Sequence, residues 1–240
     1  RLNIYSALAK EMDEVLKYGP FRFKTVFFGG GTPSLIPPDV LETILGKLQV
    51  RPDAEFTIEA NPSSITLEKA NYWKKLGINR VSMGTQALDD ARLKWLGRVH
   101  DTASVKRSIS TLLKAGLKKV SIDYIVGVPG QSENNIEDEL TKLLNEFPGI
   151  LHVSAYLLTL NAGNPYRKDL PSEDVQLSHL RMVRDVLKRF GLEQYEISNF
   201  AVPGYEAKHN INYWNGGAYI GIGPSAHSYL LAEQYRVTNS

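Results

Sequence analysis

Leu113–Lys114–Ala115–Gly116 followed by Val120–Ser121–Ile122–Asp123 is the stretch whose reading decides the fold. A helix closes on a glycine, and a short β-rich run starts a few residues later. Glycine just past a helix end takes the left-handed conformation without steric cost. A basic residue in the last turn suits the negative end of the helix dipole. The same grammar recurs where Lys74–Lys75–Leu76–Gly77 leads into Arg80–Val81–Ser82–Met83, and where Leu187–Lys188–Arg189–Phe190–Gly191 leads into Gln194–Tyr195–Glu196–Ile197. Thr25–Phe28, Phe56–Glu59 and His152–Tyr156 read as further strands, and helices are predicted over 38–49, 66–76, 101–115, 133–146 and 173–190. The last predicted helix carries Leu180, Val183, Leu187 and Phe190 at the spacing of a stripe packed on a sheet. Strands alternating with helices mean βαβ units, right-handed crossovers and a parallel sheet, hence an α/β fold. Pattern alone leaves open whether that sheet lies flat or curls into a barrel.

With 240 residues the chain is long enough for a full domain. Its 28 basic and 26 acidic residues are mixed along the sequence, and the net charge is +2. No face-forming basic run points to nucleic acid. No apolar run approaches the ~20 residues that span a bilayer. Ile4, Leu8, Met12 and Val15 have helical spacing, so the start reads as the interior of a helix rather than as a signal peptide. The chain has no cysteine, which excludes disulfides, thiolate catalysis and a cysteine-held cluster within these residues. That absence fits a cytoplasmic location.

The unusual residues gather at the strand ends. These are Gly29–Gly30–Gly31–Thr32–Pro33, Glu59–Ala60–Asn61–Pro62, Gly84–Thr85–Gln86, and Asp123 with Gly127–Val128–Pro129–Gly130–Gln131. In a parallel α/β protein such ends share one face, where ligands bind. Three glycines let backbone groups approach a ligand closely. The run has neither the GxxxxGK[ST] lysine nor the GxGxxG spacing, so it offers little for a nucleotide loop, and a small zwitterion fits equally well. Glu59 and Asp123 can accept hydrogen bonds from hydroxyls or an ammonium group, against the plainer reading of a salt bridge or a helix cap. Gln86 can both donate and accept, and Arg98 can clamp a carboxylate.

FFGGGTPSL (Phe27–Leu35), IEANPSS (Ile58–Ser64), RVSMGTQALDD (Arg80–Asp90), LGRVHD (Leu96–Asp101) and IDYIVGVPGQ (Ile122–Gln131) together resemble the oxygen-independent coproporphyrinogen III oxidase family of radical S-adenosylmethionine (SAM) proteins. The resemblance runs from about Phe27 to the C-terminus. It implies a parallel partial (β/α)6 barrel of the TIM type over residues 1–200, lacking its first βα loop, with a family-specific C-terminal region starting at 201. It implies that Gly30, Gly31 and Thr32 meet the methionine part of SAM, and that Glu59, Gln86, Arg98 and Asp123 line the rest of that pocket. It further implies a [4Fe–4S] cluster that passes an electron to the SAM sulfonium. The family's CxxxCxxC motif is expected upstream of Arg1, so these residues alone hold no cluster and do not cleave SAM.

Within the family, His209–Asn210–Ile211–Asn212–Tyr213–Trp214 matches the HNxxYW motif of the HemW-like haem chaperone branch, and Gly221–His227 resembles the segment that follows it there. True coproporphyrinogen oxidases generally lack HNxxYW. The resemblance therefore implies a haem-binding chaperone of porphyrin and haem metabolism, with haem-accepting proteins and an electron donor as partners. His209 suits haem iron, and Tyr213 and Trp214 suit packing on a macrocycle. The plainer reading is a polar corner anchoring the final strand. Two other functions stay open at this point. One is oxidative decarboxylation of coproporphyrinogen III propionates to vinyls. The other is a barrel enzyme that holds a phosphorylated metabolite on Gly29–Gly31.

Overall fold

The expected alternation runs through most of the chain. In the computed structural model, which describes residues 2–230 and 235–238, helix α1 (Leu2–Leu16) leads to strand β1 (Phe23–Phe28). Then come α2 (Pro38–Gly46), β2 (Val50–Ala60), α3 (Leu67–Lys75) and β3 (Arg80–Gln86). Two helices, α4 (Asp90–Trp95) and α5 (Thr102–Lys114), precede β4 (Lys119–Val126), α6 (Glu133–Glu146), β5 (Ile150–Leu157) and α7 (Glu173–Arg189). Strands β6 (Glu193–Gln194) and β7 (Asn199–Ala201), helix α8 (Lys208–Trp214), and the antiparallel hairpin of β8 (His227–Leu230) with β9 (Tyr235–Thr238) follow.

The main sheet has the order β1-β2-β3-β4-β5-β7-β6. From β2 to β5 every pairing is parallel, with Glu59 opposite Ser82 and Asp123 opposite Ser154. By packing, the chain divides into two compact units. One comprises Arg1–Phe27, Ile36–Phe56 and Ala207–Ser240, and the other Phe28–Leu35 and Thr57–Glu206.

Local chemistry explains most element ends. Thr66, Asp89, Asp101, Ser132 and Ser172 each accept the backbone N–H three residues on, capping α3, α4, α5, α6 and α7. Such a cap is worth about 1 kcal/mol. Gly77, Gly116 and Gly191 take positive φ after α3, α5 and α7, as the helix-to-strand grammar demands. In the second unit Ile58, Val81, Met83, Val120, Ile122 and Val153 are fully buried beneath the helices. Removing side chains of this size from water contributes roughly 1.5–3 kcal/mol each. On α7 the buried stripe is His179, Val183, Val186 and Leu187, while Leu180 and Phe190 are only half-buried.

Three local expectations change. Helix α2 stops at Gly46, because the Leu48 N–H bonds the Leu45 carbonyl in a tighter turn. Helix α4 is not among the predicted helices, and six residues are too few to show helical periodicity. The strand predicted at Gln194–Ile197 shortens to Glu193–Gln194. The chain then reverses and places β7, antiparallel, between β5 and β6. Glu196 closes that reversal by accepting from the Ser198 N–H and from the Asn199 side chain.

Candidate functional site

In the second unit the glycine run after β1 and the end of β2 are built as one corner. Gly30 and Gly31 have φ of 76° and 62°, a region that glycine enters freely. A Cβ on either would meet nothing within 4 Å, so the loop presents open backbone. The Gly30 N–H donates to Glu59 Oε2 at 3.1 Å. Below it Ser34 Oγ lies 2.6 Å from Ser64 Oγ, and Lys69 Nζ donates to the carbonyls of both serines at 3.2 Å. One lysine thus ties the loop after β1 to the loop after β2.

Asp123 stands two strands further on. Ser82 Oγ donates to Asp123 Oδ1 at 3.1 Å, and the Ser154 hydroxyl bonds the same carboxyl. Burial nonetheless pushes Asp123 up to about 7, with the Glu59 carboxylate adding to the rise. Glu59 is also raised by burial, and the Gly30 N–H works against that rise. Neither carboxylate caps a helix, and neither forms an ion pair among the described residues. The plainer structural readings therefore do not account for them. Two mutually repelling, partly desolvated carboxylates call for a cation or for hydroxyl donors. The same arrangement opposes a phosphate, since a carboxylate already occupies the Gly30 N–H.

Gln86 ends β3 with φ of 69°, and its side chain folds back over Gly84, where a Cβ would lie 2.9 Å from Nε2. Thr32 is exposed beside Gly31. Arg98 is exposed between α4 and α5 and is not paired with Glu59 or Asp123. The structure therefore joins Gly30 to Glu59 directly, sets Asp123 within electrostatic reach of Glu59, places Gln86 at the neighbouring strand end, and leaves Arg98 outside the hydrogen-bonded group. Ser82, Ser154 and Tyr156 escaped sequence reading. The phenol of Tyr156 is raised by burial and then by the Asp123 charge, which marks it as a neighbour of that carboxyl.

The loop after β4 is held from behind. Gln131 Oε1 accepts from the Gly127 N–H at 2.8 Å, and Gln131 Nε2 donates to the Tyr124 hydroxyl at 3.0 Å. Tyr124 donates to Glu139 Oε2 at 3.1 Å, and Glu139 is ion-paired with Arg92. A chain of bonds thus runs from the loop through β4 and α6 to α4.

A separate cluster lies in the first unit. His209, on α8, has Thr25 Oγ1 2.7 Å from Nδ1 and the Tyr213 hydroxyl 3.0 Å from Nε2. Phe27 stacks on the imidazole at 5.1 Å with an interplanar angle of 15°. The His209 N–H donates to Glu55 Oε1 at 3.2 Å, and Lys208 Nζ donates to the Asp53 carbonyl at 3.1 Å. Burial lowers the His209 pKa, against the pull of Glu55, and so favours the neutral imidazole, the form that binds metals. Tyr213 meets Tyr219 edge-on at 4.6 Å, and Trp214 is 55% exposed. Thr25 carried no sequence signal beyond its place in a strand, Phe27 only its place at the head of the FFGGGTPSL motif, and Glu55 falls in the part of β2 that precedes the predicted strand.

No residue of the chain offers a thiolate, and no three metal-binding side chains cluster among the described residues. No described helix is long and apolar enough to cross a membrane.

The family model described as the Radical SAM superfamily matches residues 3–143. The heme chaperone HemW of Escherichia coli (strain K12) is 35% identical over 238 residues, covering 96% of this chain and 62% of that protein. HemW of Lactococcus lactis subsp. lactis is 36% identical over 227 residues, covering 90% of this chain and 59% of that protein. The mitochondrial radical S-adenosyl methionine domain-containing protein 1 of Mus musculus is 38% identical over 226 residues, with coverage of 90% and 51%. The chain thus spans about three fifths of the length of the HemW relatives. Among solved structures, the coproporphyrinogen III oxidase HemN of Escherichia coli superposes with a TM-score of 0.79 at 21% identity, over 94% of this chain and 57% of that one. That likeness is one of fold, the partial barrel implied by the sequence motifs.

Proposed function

The chain belongs to the radical SAM superfamily, and from there we propose that it is the core of a haem-binding, HemW-like protein that holds SAM at its strand ends. SAM supplies a sulfonium that a [4Fe–4S] cluster reduces in this superfamily. The residues here fit the SAM half of that pair and not the cluster, because the chain has no cysteine. In this reading Gly30 and Gly31 offer open backbone to the methionine moiety, with Thr32 beside them. Glu59 accepts from its ammonium group, and Asp123 accepts from the ribose hydroxyls. Gln86 completes the rim, and Arg98 stays outside it. The desolvation that raises both carboxyls is relieved by such a ligand, which supports the assignment.

The observation that carries the haem assignment is the setting of His209, stacked by Phe27 and held at Nδ1 by Thr25. Likeness to proteins named heme chaperones supports the same reading, with haem as cargo and haem-accepting proteins as partners. The test is a titration of the full-length protein with ferric haem, followed in the Soret region. A histidine-type spectrum that is lost in His209→Ala supports the assignment. An unchanged spectrum and affinity in that variant refutes it. A true oxidase would instead convert coproporphyrinogen III anaerobically, and the histidine cluster gives that reading no support.

A further inference from the structure

Resting on the haem reading of His209, we propose that Tyr213 caps the iron-binding lone pair of His209 and that Thr25 fixes the tautomer that presents it. Both imidazole nitrogens are engaged, Nδ1 with Thr25 at 2.7 Å and Nε2 with Tyr213 at 3.0 Å. Two arrangements of protons satisfy these contacts. A phenol is a stronger donor and a weaker acceptor than an aliphatic hydroxyl, because its oxygen lone pair is delocalised into the ring. Tyr213 therefore donates to Nε2, and Nδ1–H donates to Thr25 Oγ1. This tautomer leaves the Nε2 lone pair pointing outward, with only a hydroxyl proton on it.

The pattern matches what a histidine ligand needs. Metal-bound imidazoles almost always donate their second N–H to a fixed acceptor, which sets ring orientation and basicity. Here that acceptor sits on β1, and its own backbone is held by the sheet. Phe27, two residues along the strand from Thr25, lies on the ring face and prevents rotation. Glu55 takes the His209 backbone N–H, so the start of α8 is anchored as well. Every contact fixes the ring except the one at Nε2, which comes from a side chain 46% exposed. Iron approaches an imidazole in the ring plane at Nε2, where the Tyr213 hydroxyl now sits. Ligation would then exchange the Tyr213 hydrogen bond for a bond to iron, with Tyr213 turning outward to make room. No covalent step or redox change is involved. Tyr213 acts as a cap that keeps the apo site satisfied, rather than as a platform for the macrocycle.

The two residues are positioning residues with opposite signatures, and ferric haem titration of the full-length protein separates them. Tyr213→Phe keeps the edge-on ring packing and removes the competing hydroxyl, so haem binding should tighten by about three- to tenfold, with the histidine-type spectrum unchanged. Thr25→Val keeps the shape and removes the acceptor. Binding should then weaken by about ten- to a hundredfold with an altered ligand-field spectrum, and Thr25→Ser should restore both. Unchanged or weaker binding in Tyr213→Phe overturns the cap, and the weaker case makes the phenol itself a ligand. Unchanged binding in Thr25→Val overturns the tautomer lock. If His209→Ala binds haem as the parent does, the haem reading itself fails, which is distinguishable because the other two variants then have no histidine signature to change.

Discussion

Ser82 on β3 donates its hydroxyl to Asp123 Oδ1 on β4, 3.1 Å away, yet the carboxyl it serves still titrates at about 7. Desolvation outweighs the hydrogen bonds of Ser82 and Ser154, and Glu59 adds like charge. Asp123 therefore holds a proton in the folded state that it loses near pH 4 when unfolded. Its contribution to stability is complete below about pH 4 and is lost as pH rises toward 7. Asp123→Asn should raise the melting temperature at pH 8 by about 2–4 °C for each kcal/mol recovered, and should change little at pH 4. A variant less stable than the parent at pH 8, measured without added ligand, would remove the desolvation argument.

His152 has the opposite linkage. It is buried, with Ser121 Oγ 2.6 Å from Nδ1 and the Tyr195 hydroxyl 2.8 Å from Nε2. Burial, then the Arg80 charge, depresses it to about 3. The folded state binds fewer protons than the unfolded chain between pH 3 and 6.5, so stability from this group is present above 6.5 and falls with acidification. The slope should reach about 1.4 kcal/mol per pH unit. Denaturant unfolding of His152→Gln between pH 7 and 4 should show a shallower acid limb than the parent, and parallel limbs would contradict the assignment.

Much of the strand-end site was legible because its signals are local. Gly29–Gly30–Gly31, Glu59, Gln86 and Asp123 are odd residues at the ends of apolar runs, and chain order alone brings those ends to one face. The partners of these residues were not legible. Ser82 and Ser154 look like ordinary polar alternation in strands, and their use depends on the register that sets Asp123 opposite Ser154. Thr25 meets His209 across 184 residues, a contact that no periodicity encodes. Strand β7 is three residues long, and a reversal depending on Glu196 and Asn199 leaves no pattern of its own. Arg98 has the chemistry to clamp a carboxylate, but the fold leaves it exposed and outside the carboxylate group.

Arg92 supplies a test of the network behind the β4 loop. Its guanidinium is ion-paired with Glu139, and both side chains are largely buried. Removing one partner leaves the other charge desolvated and unpaired, at a cost of about 3–5 kcal/mol. Arg92→Met should show that loss in urea unfolding. Adding Glu139→Gln to Arg92→Met should recover part of it, because the orphaned carboxylate is then neutral while Tyr124 keeps an acceptor. If the double variant is as unstable as the sum of the singles, Arg92 and Glu139 do not act as a pair.

Gly84 offers a way to move Gln86 without touching its chemistry. A Cβ on residue 84 would lie 2.9 Å from Gln86 Nε2, and the next contact outside that side chain is the Ala60 carbonyl at 3.9 Å. The obstruction is thus the end of a flexible side chain that can move aside, so Gly84→Ala should leave the melting temperature close to the parent's. The carboxamide, however, must leave its place at the strand end. If Gln86 lines the SAM pocket, Gly84→Ala in the full-length protein should raise the SAM dissociation constant by about three- to tenfold, the value of one hydrogen bond. Gln86→Ala should do the same, and the double variant should bind as either single does, because both remove one contact. Equilibrium dialysis with labelled SAM checks all three. An unchanged constant in Gly84→Ala, with the melting temperature preserved, would take Gln86 out of the pocket and leave Glu59 and Asp123 to hold the ligand.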